Sequence, residues 1–179
     1  MDFQILSFIN QFWHGTRLDM FSQYISRDRS MIVIRAVFVV LVVLFQKKYR
    51  KHILFSFVLA WALFYGVSEI GFKTLLVQET GIRIRPYIAH VNVIQPIGKR
   101  YTDSSFPSSH MVITVAMLTV LILIFPAIWP YAIIYALLMA RSRMHNGMHY
   151  PSDILAWIFF WFFCGWIGVV LSKRVFASK

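Results

Sequence analysis

The sequence predicts an all-α fold: a polytopic transmembrane helical bundle, forming one membrane-embedded domain over residues 1–179. Three observations predict it. Apolar residues make up 59% of the chain and charged residues 14%, against about 45–50% and about 25% in an average soluble domain. The apolar residues gather into runs that approach the ~20 residues needed to cross a ~30 Å hydrocarbon layer. Lys and Arg cluster at the ends of those runs, where they meet anionic headgroups or an anionic ligand. The net charge of +11 is therefore not the signature of a nucleic-acid binder. Composition also excludes a disordered chain and a disulfide-stapled module, since the single Cys164 lies in an apolar run without a partner.

Residues 1–29 are expected to be an interfacial N-terminal segment. Within it, Asp2–Trp13 alternates Phe3, Ile5, Leu6, Phe8, Ile9, Phe12 and Trp13 with Gln4, Ser7, Asn10 and Gln11. That pattern suits a short helix lying in the membrane surface. No cleavable signal is expected, because Asp2 stands where a basic leader would begin. About five spans follow. The first runs from residue 31 to 45 and is interrupted only by Arg35. The second runs from 52 to 77, polar mainly at Ser56, Ser68, Glu69 and Lys73. The third covers 110–125, and a shorter fourth covers 130–140 with an extension to 144. The fifth and most apolar runs from 154 to 171.

An odd number of spans assigns the loops to sides. Residues 1–30, 78–109 and 141–153 share one face, and 46–52, 126–129 and 172–179 the other. The second face carries Lys47, Lys48, Arg50, Lys51, Lys173, Arg174 and Lys179 and no carboxylate. A short, dense, acid-free basic turn is the mark of a cytoplasmic hairpin, so the first face is expected to be extracytoplasmic.

Three polar clusters return to that first face: Lys73 with Arg83, Arg85 and Pro86; Phe106-Pro107-Ser108-Ser109-His110; and Ser142-Arg143 with His149 and Asp153. Ionisable groups at membrane depth are costly and are functional candidates by default. Each cluster has a plainer reading. Glu69 and Lys73 have the spacing of a helical ion pair, the arginines suit a solvated loop at lipid phosphates, and His110 suits a helix-end histidine. His145, His149 and Asp153 have a spacing that invites a metal, but Pro151 breaks the register and no further ligands complete a site, so no metal is expected.

Read together, the clusters form one phosphate site. Ser108 or Ser109 is placed to cap the third apolar run, whose first N–H groups and dipole favour an anion. Lys73, Arg85 and Arg143 supply positive charge for phosphoryl oxygens. Phosphoryl transfer also needs a nucleophile and a proton donor. His149 suits the first role, with Asp153 four residues on as the acceptor for its other nitrogen, and His110 suits the second.

These three clusters resemble, in order, the signatures of the type-2 phosphatidic acid phosphatase superfamily. Ser142-Arg143 with His149 and Asp153 matches the third signature in full. The second carries Ser109 where Gly is commonest, and Lys73 stands farther from Arg85-Pro86 than is usual. The resemblance implies a helical membrane bundle with its catalytic motifs in 73–153, a phosphorylated His149, His110 as general acid, and neither metal nor other cofactor. It implies an enzyme of the bacterial inner (plasma) membrane with its site facing the periplasm or exterior. Its partners would be the membrane and a phospholipid, polyprenyl diphosphate or lipid A substrate, with no nucleic acid. Undecaprenyl diphosphate is the first choice among substrates. A lipid A 1-phosphatase and a phosphatidylglycerophosphate phosphatase share the motifs. A non-enzymatic lipid-binding or transport protein of the same fold is the rival from another class. A transporter would carry polar residues inside several spans and paired half-helices, whereas here the polar groups are expected at one membrane face, which favours surface chemistry.

Overall fold

The computed structural model describes residues 1–12, 14–15, 17–77, 81–156 and 158–177. Trp13 and the Lys73 side chain, both singled out by the sequence, lie outside what is described. Nine α-helices make up the described chain, and no strand occurs among these residues. They are α1 (Asp2–Phe12), α2 (Arg17–Ser26), α3 (Asp28–Phe45), α4 (Arg50–Leu63), the short α5 (Pro86–Ala89), α6 (Ser109–Ile124), α7 (Trp129–His145), the short α8 (Pro151–Leu155) and α9 (Ile158–Ala177). A π-helical stretch, Phe64–Leu76, continues α4.

Helices α4, α6 and α9 form the centre of the bundle, and small residues let them approach. Ala60, Phe64, Val112, Ala116, Trp161 and Cys164 make one buried cluster between them, with the Phe64 and Trp161 rings edge-to-face at 6.0 Å. A Cβ on Gly165 would stand 2.8 Å from the Ala116 carbonyl oxygen, and one on Gly168 would stand 3.1 Å from that of Ser56. A second cluster, Ile25, Met31, Met111, Met139 and Ile154, ties α2, α3, α6, α7 and α8 together.

The interior is partly polar and the exterior largely apolar. Ser56, Thr114, Thr119, Ser142 and Ser172 are buried, whereas Phe45, Val58, Trp61, Leu137, Phe159 and Phe162 are more than half exposed. Thr114, Thr119 and Ser172 return their hydroxyls to carbonyls of their own helices, which satisfies them without an outside partner. An apolar surface of this extent marks contact with a membrane or another protein. Two stretches among the described residues, Arg50–Gly71 and Pro151–Phe176, are long and apolar enough to cross a membrane, and Ser109–Ile124 is a shorter apolar helix. The other two expected spans, α3 and α7, carry Asp28, Arg29 and Arg35, and Arg141 and Arg143, within their length.

The N-terminal segment contains the expected short helix as α1 and adds a second, α2. Helix α1 is built into the protein along one face. Leu6 is fully buried against Tyr87, Ile94 and Met148. Asn10 donates to the carbonyls of His145 (2.6 Å) and Gln95 (2.9 Å). Ile5, Phe8 and Phe12 keep the opposite face apolar and exposed. One stripe of α1 is thus covered by protein, and its remaining apolar residues face outward.

The bundle has two distinct ends. At one, Tyr49 packs against Phe125, while His52 meets Ser172 and Phe176. The other gathers the α2–α3 corner, residues 83–87, 101–110 and 143–153. The crowding at Gly165 gives a stability test. Gly165→Val should destabilise the protein by about 1–3 kcal/mol, the usual cost of overpacking, read as a lower unfolding midpoint in detergent, with Gly66→Val, in open space, as the control for helix propensity.

Candidate active site

His149 reaches its position through the way α7 ends. Gly147, at φ +69°, takes the left-handed conformation after the helix. The N–H of Met148 then bonds back to the Arg143 carbonyl (3.1 Å) and that of Gly147 to the Met144 carbonyl (2.9 Å). This is a Schellman termination. It folds the chain back so that the side chain two residues past the glycine faces the last turn of its own helix. A side chain at position 147 would also collide with Ile94, 2.7 Å from the Cβ position. The result is Arg143 Nη2 at 3.3 Å from His149 Nε2.

Arg85 approaches the same nitrogen from another element, with its Nη1 3.4 Å from Nε2. Pro86 opens α5 directly after it. The guanidinium is held by the Asp103 carbonyl (3.0 Å) and carboxylate (2.7 Å) and by the Ser104 and Met148 carbonyls. On the other side of the ring, His149 Nδ1 lies 2.6 Å from the Ser105 carbonyl oxygen. A carbonyl only accepts, so Nδ1 carries the hydrogen and Nε2 presents its lone pair between two guanidinium groups. Burial first, then the charges of Arg143 and Arg85, hold His149 well below the ordinary histidine range and keep it neutral.

The expected acceptor for His149 was Asp153, and here the geometry differs. Asp153 Oδ2 stands 4.0 Å from Nδ1 and takes the Ser105 hydroxyl (2.5 Å) and the Tyr150 N–H (2.8 Å) instead. Its Oδ1 pairs with Arg83 at 2.6 Å. Pro151 opens α8 between the two residues, and the turn across it points the carboxylate at Ser105 and Arg83 rather than at the imidazole. Asp153 therefore reaches His149 through Ser105.

Of the two candidate capping serines, Ser108 occupies the N-cap of α6 but makes no capping bond. Its buried hydroxyl has no hydrogen-bond partner among the described residues, and neither has Nε of Arg143. Ser109 donates to Glu69 (2.8 Å), the residue whose spacing suggested a pair with Lys73. His110, one position into the helix, directs Nε2 at the Ser26 carbonyl (3.0 Å) and Asp28 (3.4 Å). The Asp28 carboxylate also accepts from the Tyr101 hydroxyl (2.8 Å) and from Lys99 (3.4 Å). Burial and the same Asp28 push the Tyr101 hydroxyl up to about 12. His145 is engaged by Asp19 and the Ile9 carbonyl.

Sequence reasoning missed Asp28, Ser105, Tyr101 and Asp2. A backbone carbonyl such as that of Ser105 leaves no mark on the sequence. Asp28 left one, as a carboxylate on the same face as His110 beside the start of an apolar run. A polar cavity of about 520 Å³ opens beside Arg143, lined also by Arg27, Asp28, Arg29, Lys99 and Tyr101. Its walls suit a charged headgroup.

This geometry has relatives. The chain is 33% identical over 87 residues to a protein of Sulfolobus acidocaldarius named undecaprenyl-diphosphatase, a match spanning 48% of this chain and 40% of that one. It is 21% identical over 183 residues to the lipid A 4'-phosphatase of Bacteroides thetaiotaomicron, covering 99% of this chain and 79% of the relative. It is 28% identical over 146 residues to undecaprenyl-diphosphatase BcrC of Bacillus subtilis, covering 79% and 68%. The fold matches the crystal structure of Aquifex aeolicus LpxE with a TM-score of 0.72, 22% identity and 94% of each chain covered. The family model of the PAP2 superfamily matches residues 74–177, more than half the chain and all of the His110, Arg143, His149 and Asp153 constellation. The chain belongs to the PAP2 superfamily.

Proposed function

We propose that the protein is an integral membrane phosphatase that removes a phosphate from a lipid headgroup through a phosphohistidine at His149. The observation that carries this reading is the state of His149: neutral, with Nδ1 tied to Ser105 and the Nε2 lone pair between Arg85 and Arg143. A phosphoryl group seated there has its oxygens neutralised by two guanidiniums while Nε2 approaches phosphorus. The Ser108 hydroxyl and Arg143 Nε, costly when buried without partners, gain one in the anion. Lys73 adds charge as the family signature implies.

In the first step a bond forms between Nε2 and phosphorus as the bond to the leaving oxygen breaks. His110 delivers the proton to that oxygen. Its Nε2–H is directed at Ser26 and Asp28, which leaves Nδ1 to carry the transferred proton, and Asp28 stabilises the imidazolium. In the second step His110 takes a proton from water, which attacks phosphorus and frees His149. The cations and Ser108 fill the place of a metal, so the reaction is proposed to need none.

The substrate reading rests on leaving-group chemistry. A diphosphate or an anomeric phosphate releases a more acidic oxygen than a phosphatidate does and needs less help from His110. Undecaprenyl diphosphate is the first choice, and two relatives carry that activity in their names. A lipid A phosphatase is the second reading. It is favoured by a relative aligned over nearly the whole chain and by the Arg27, Arg29 and Lys99 walls of the cavity. The membrane reading is five spans, α3, α4 with its π-helical continuation, α6, α7 and α9, with the site at the extracytoplasmic end of a bacterial inner membrane. The exposed apolar faces of these helices support it.

Two experiments test this. Initial rates in matched detergent, with chelator present, should rank undecaprenyl diphosphate and lipid A above phosphatidylglycerophosphate and phosphatidic acid. His149→Ala should abolish turnover and His110→Ala should cost roughly 10²–10⁴-fold. Comparable activity in the His149 variant would end the phosphohistidine mechanism. For topology, single cysteines at Asp103 and Lys48, in a chain lacking Cys164, should differ toward an impermeant reagent on intact cells. Position 103 is expected to react and position 48 to stay silent, and labelling of both would break the five-span arrangement.

A further inference from the structure

The buried Asp153 is neutralised by a residue outside the site's own cluster. Arg83 Nη1 pairs with Asp153 Oδ1 at 2.6 Å, while its Nη2 donates to Asp2 (2.9 Å) and the Ser152 hydroxyl (2.9 Å). Asp153 is fully buried, whereas the Arg83 and Asp2 side chains remain 38% and 35% exposed. Arg83 thus closes the site from the solvent side, with its guanidinium over the Tyr150 ring at 4.7 Å. Asp2 belongs to the first turn of α1. It accepts the Ser152 N–H at 2.9 Å and the Ser152 hydroxyl as well, which places a carboxylate at the start of α8 where the dipole favours it. Leu6 and Asn10 anchor α1 one and two turns later, so the carboxylate is delivered by a docked element.

We propose that Arg83, seated by Asp2, is a positioning residue that holds Asp153 away from His149, so that the nucleophile keeps the neutral Ser105 carbonyl as its partner. The chain of contacts runs Asp2–Arg83–Asp153–Ser105–His149, and each link leaves the next one choice. Arg83 occupies Oδ1 of Asp153, and the Ser105 hydroxyl with the Tyr150 N–H occupies Oδ2. Oδ2 is committed to two donors and Oδ1, which accepts no hydrogen bond, is drawn toward Arg83 by charge, so the carboxylate is held from turning toward Nδ1, although only 4.0 Å separates them. The Ser105 carbonyl keeps that hydrogen, and Nε2 stays aimed at the phosphate position. Arg83 is engaged by Asp153, Asp2 and Ser152. Its two ion-pair partners and its place above Tyr150 fix it on the far side of Asp153.

Removing Arg83 frees Oδ1. The carboxylate can then swing to Nδ1, misaligning the ring and placing a full negative charge beside it. The groups that face this pair are Arg85, Arg143 and His110 on the His149 side, and Arg83, Asp2 and Tyr150 on the Asp153 side. Arg83 is the one cation among these bonded to Asp153. Closing that 4.0 Å gap to a direct hydrogen bond between the carboxylate and Nδ1 raises a histidine's pKa by about one unit or more, and a misplaced nucleophile costs on the order of 10²-fold in rate.

The proposal rests on His149 being the nucleophile, so the experiment carries His149→Ala alongside. Arg83→Gln, Arg83→Lys and Asp2→Asn would be compared with the parent on one lipid substrate, with rates normalised to the monodisperse, folded fraction. For Arg83→Gln the expected result is kcat lower on the order of 10²-fold, KM little changed, and the acid limb of kcat/KM moved to higher pH by about one unit. Arg83→Lys should recover part of kcat and return the limb toward its parent position. Asp2→Asn should move both quantities the same way by less, and serves if Arg83→Gln does not fold. A raised KM at constant kcat would make Arg83 a substrate contact and overturn the proposal. So would a loss that disappears on normalisation with the pH profile unmoved. Substantial activity in His149→Ala would overturn it together with the phosphohistidine reading, whereas an inactive His149→Ala beside a parent-like Arg83→Gln would overturn it alone.

Discussion

The hydrogen bond from His149 Nδ1 to the Ser105 carbonyl organises everything near it. It selects one tautomer and leaves Nε2 as a lone pair, the form in which an imidazole is a nucleophile. Two guanidiniums can stand at that nitrogen because it is an acceptor; a protonated Nε2 would repel both. The rest of this end of the bundle presents that bond. The Schellman turn at Gly147 brings His149 back to Arg143, the Asp103–Ser105 segment supplies the carbonyl and fixes Arg85, and Asp153 grips the Ser105 hydroxyl from below.

Charge balance explains why the carboxylates sit where they do. Arg85 and Arg143 at one buried imidazole are a concentration of positive charge that neighbouring carboxylates must offset. Asp103 answers Arg85 directly, and Asp28 answers His110 with help from Tyr101 and Lys99. Asp153, fully buried, is answered by Arg83. Each of these acids is thus matched to a neighbouring base, while Nε of Arg143, beside the cavity, has no hydrogen-bond partner among the described residues. Such an arrangement leaves room for one more anion.

The bundle supports this through close helix contact. Gly165 brings α9 against α6 at a distance no side chain would allow, Gly168 brings it against α4 more tightly than most side chains permit, and Thr114, Thr119 and Ser172 bond to their own backbones. Where the hydrophobic drive between helices is weak, as in lipid, small residues and backbone approach take over the work of packing. The apolar side chains are thereby released to the exterior.

Much of this was legible in the sequence. Composition and apolar runs were enough for an all-helical bundle, because burying or exposing Phe, Val and Leu in lipid leaves the same hydropathy record. The grouping of Arg85, Arg143 and His149 was legible because each cluster ends on the same face. What the sequence could not decide was which atom meets which. The sequence pointed Asp153 at His149 across the turn that holds Pro151, but the backbone carbonyl of Ser105 took the bond. Backbone groups are alike at every position, so no residue type announces them. The roles of Asp2 and Asp28 depend on how α1 and the α2–α3 corner dock, a long-range contact made by burial of Leu6, Ile25 and Met31. Periodicity names the stripe that is buried; only the tertiary structure decides what lies against it.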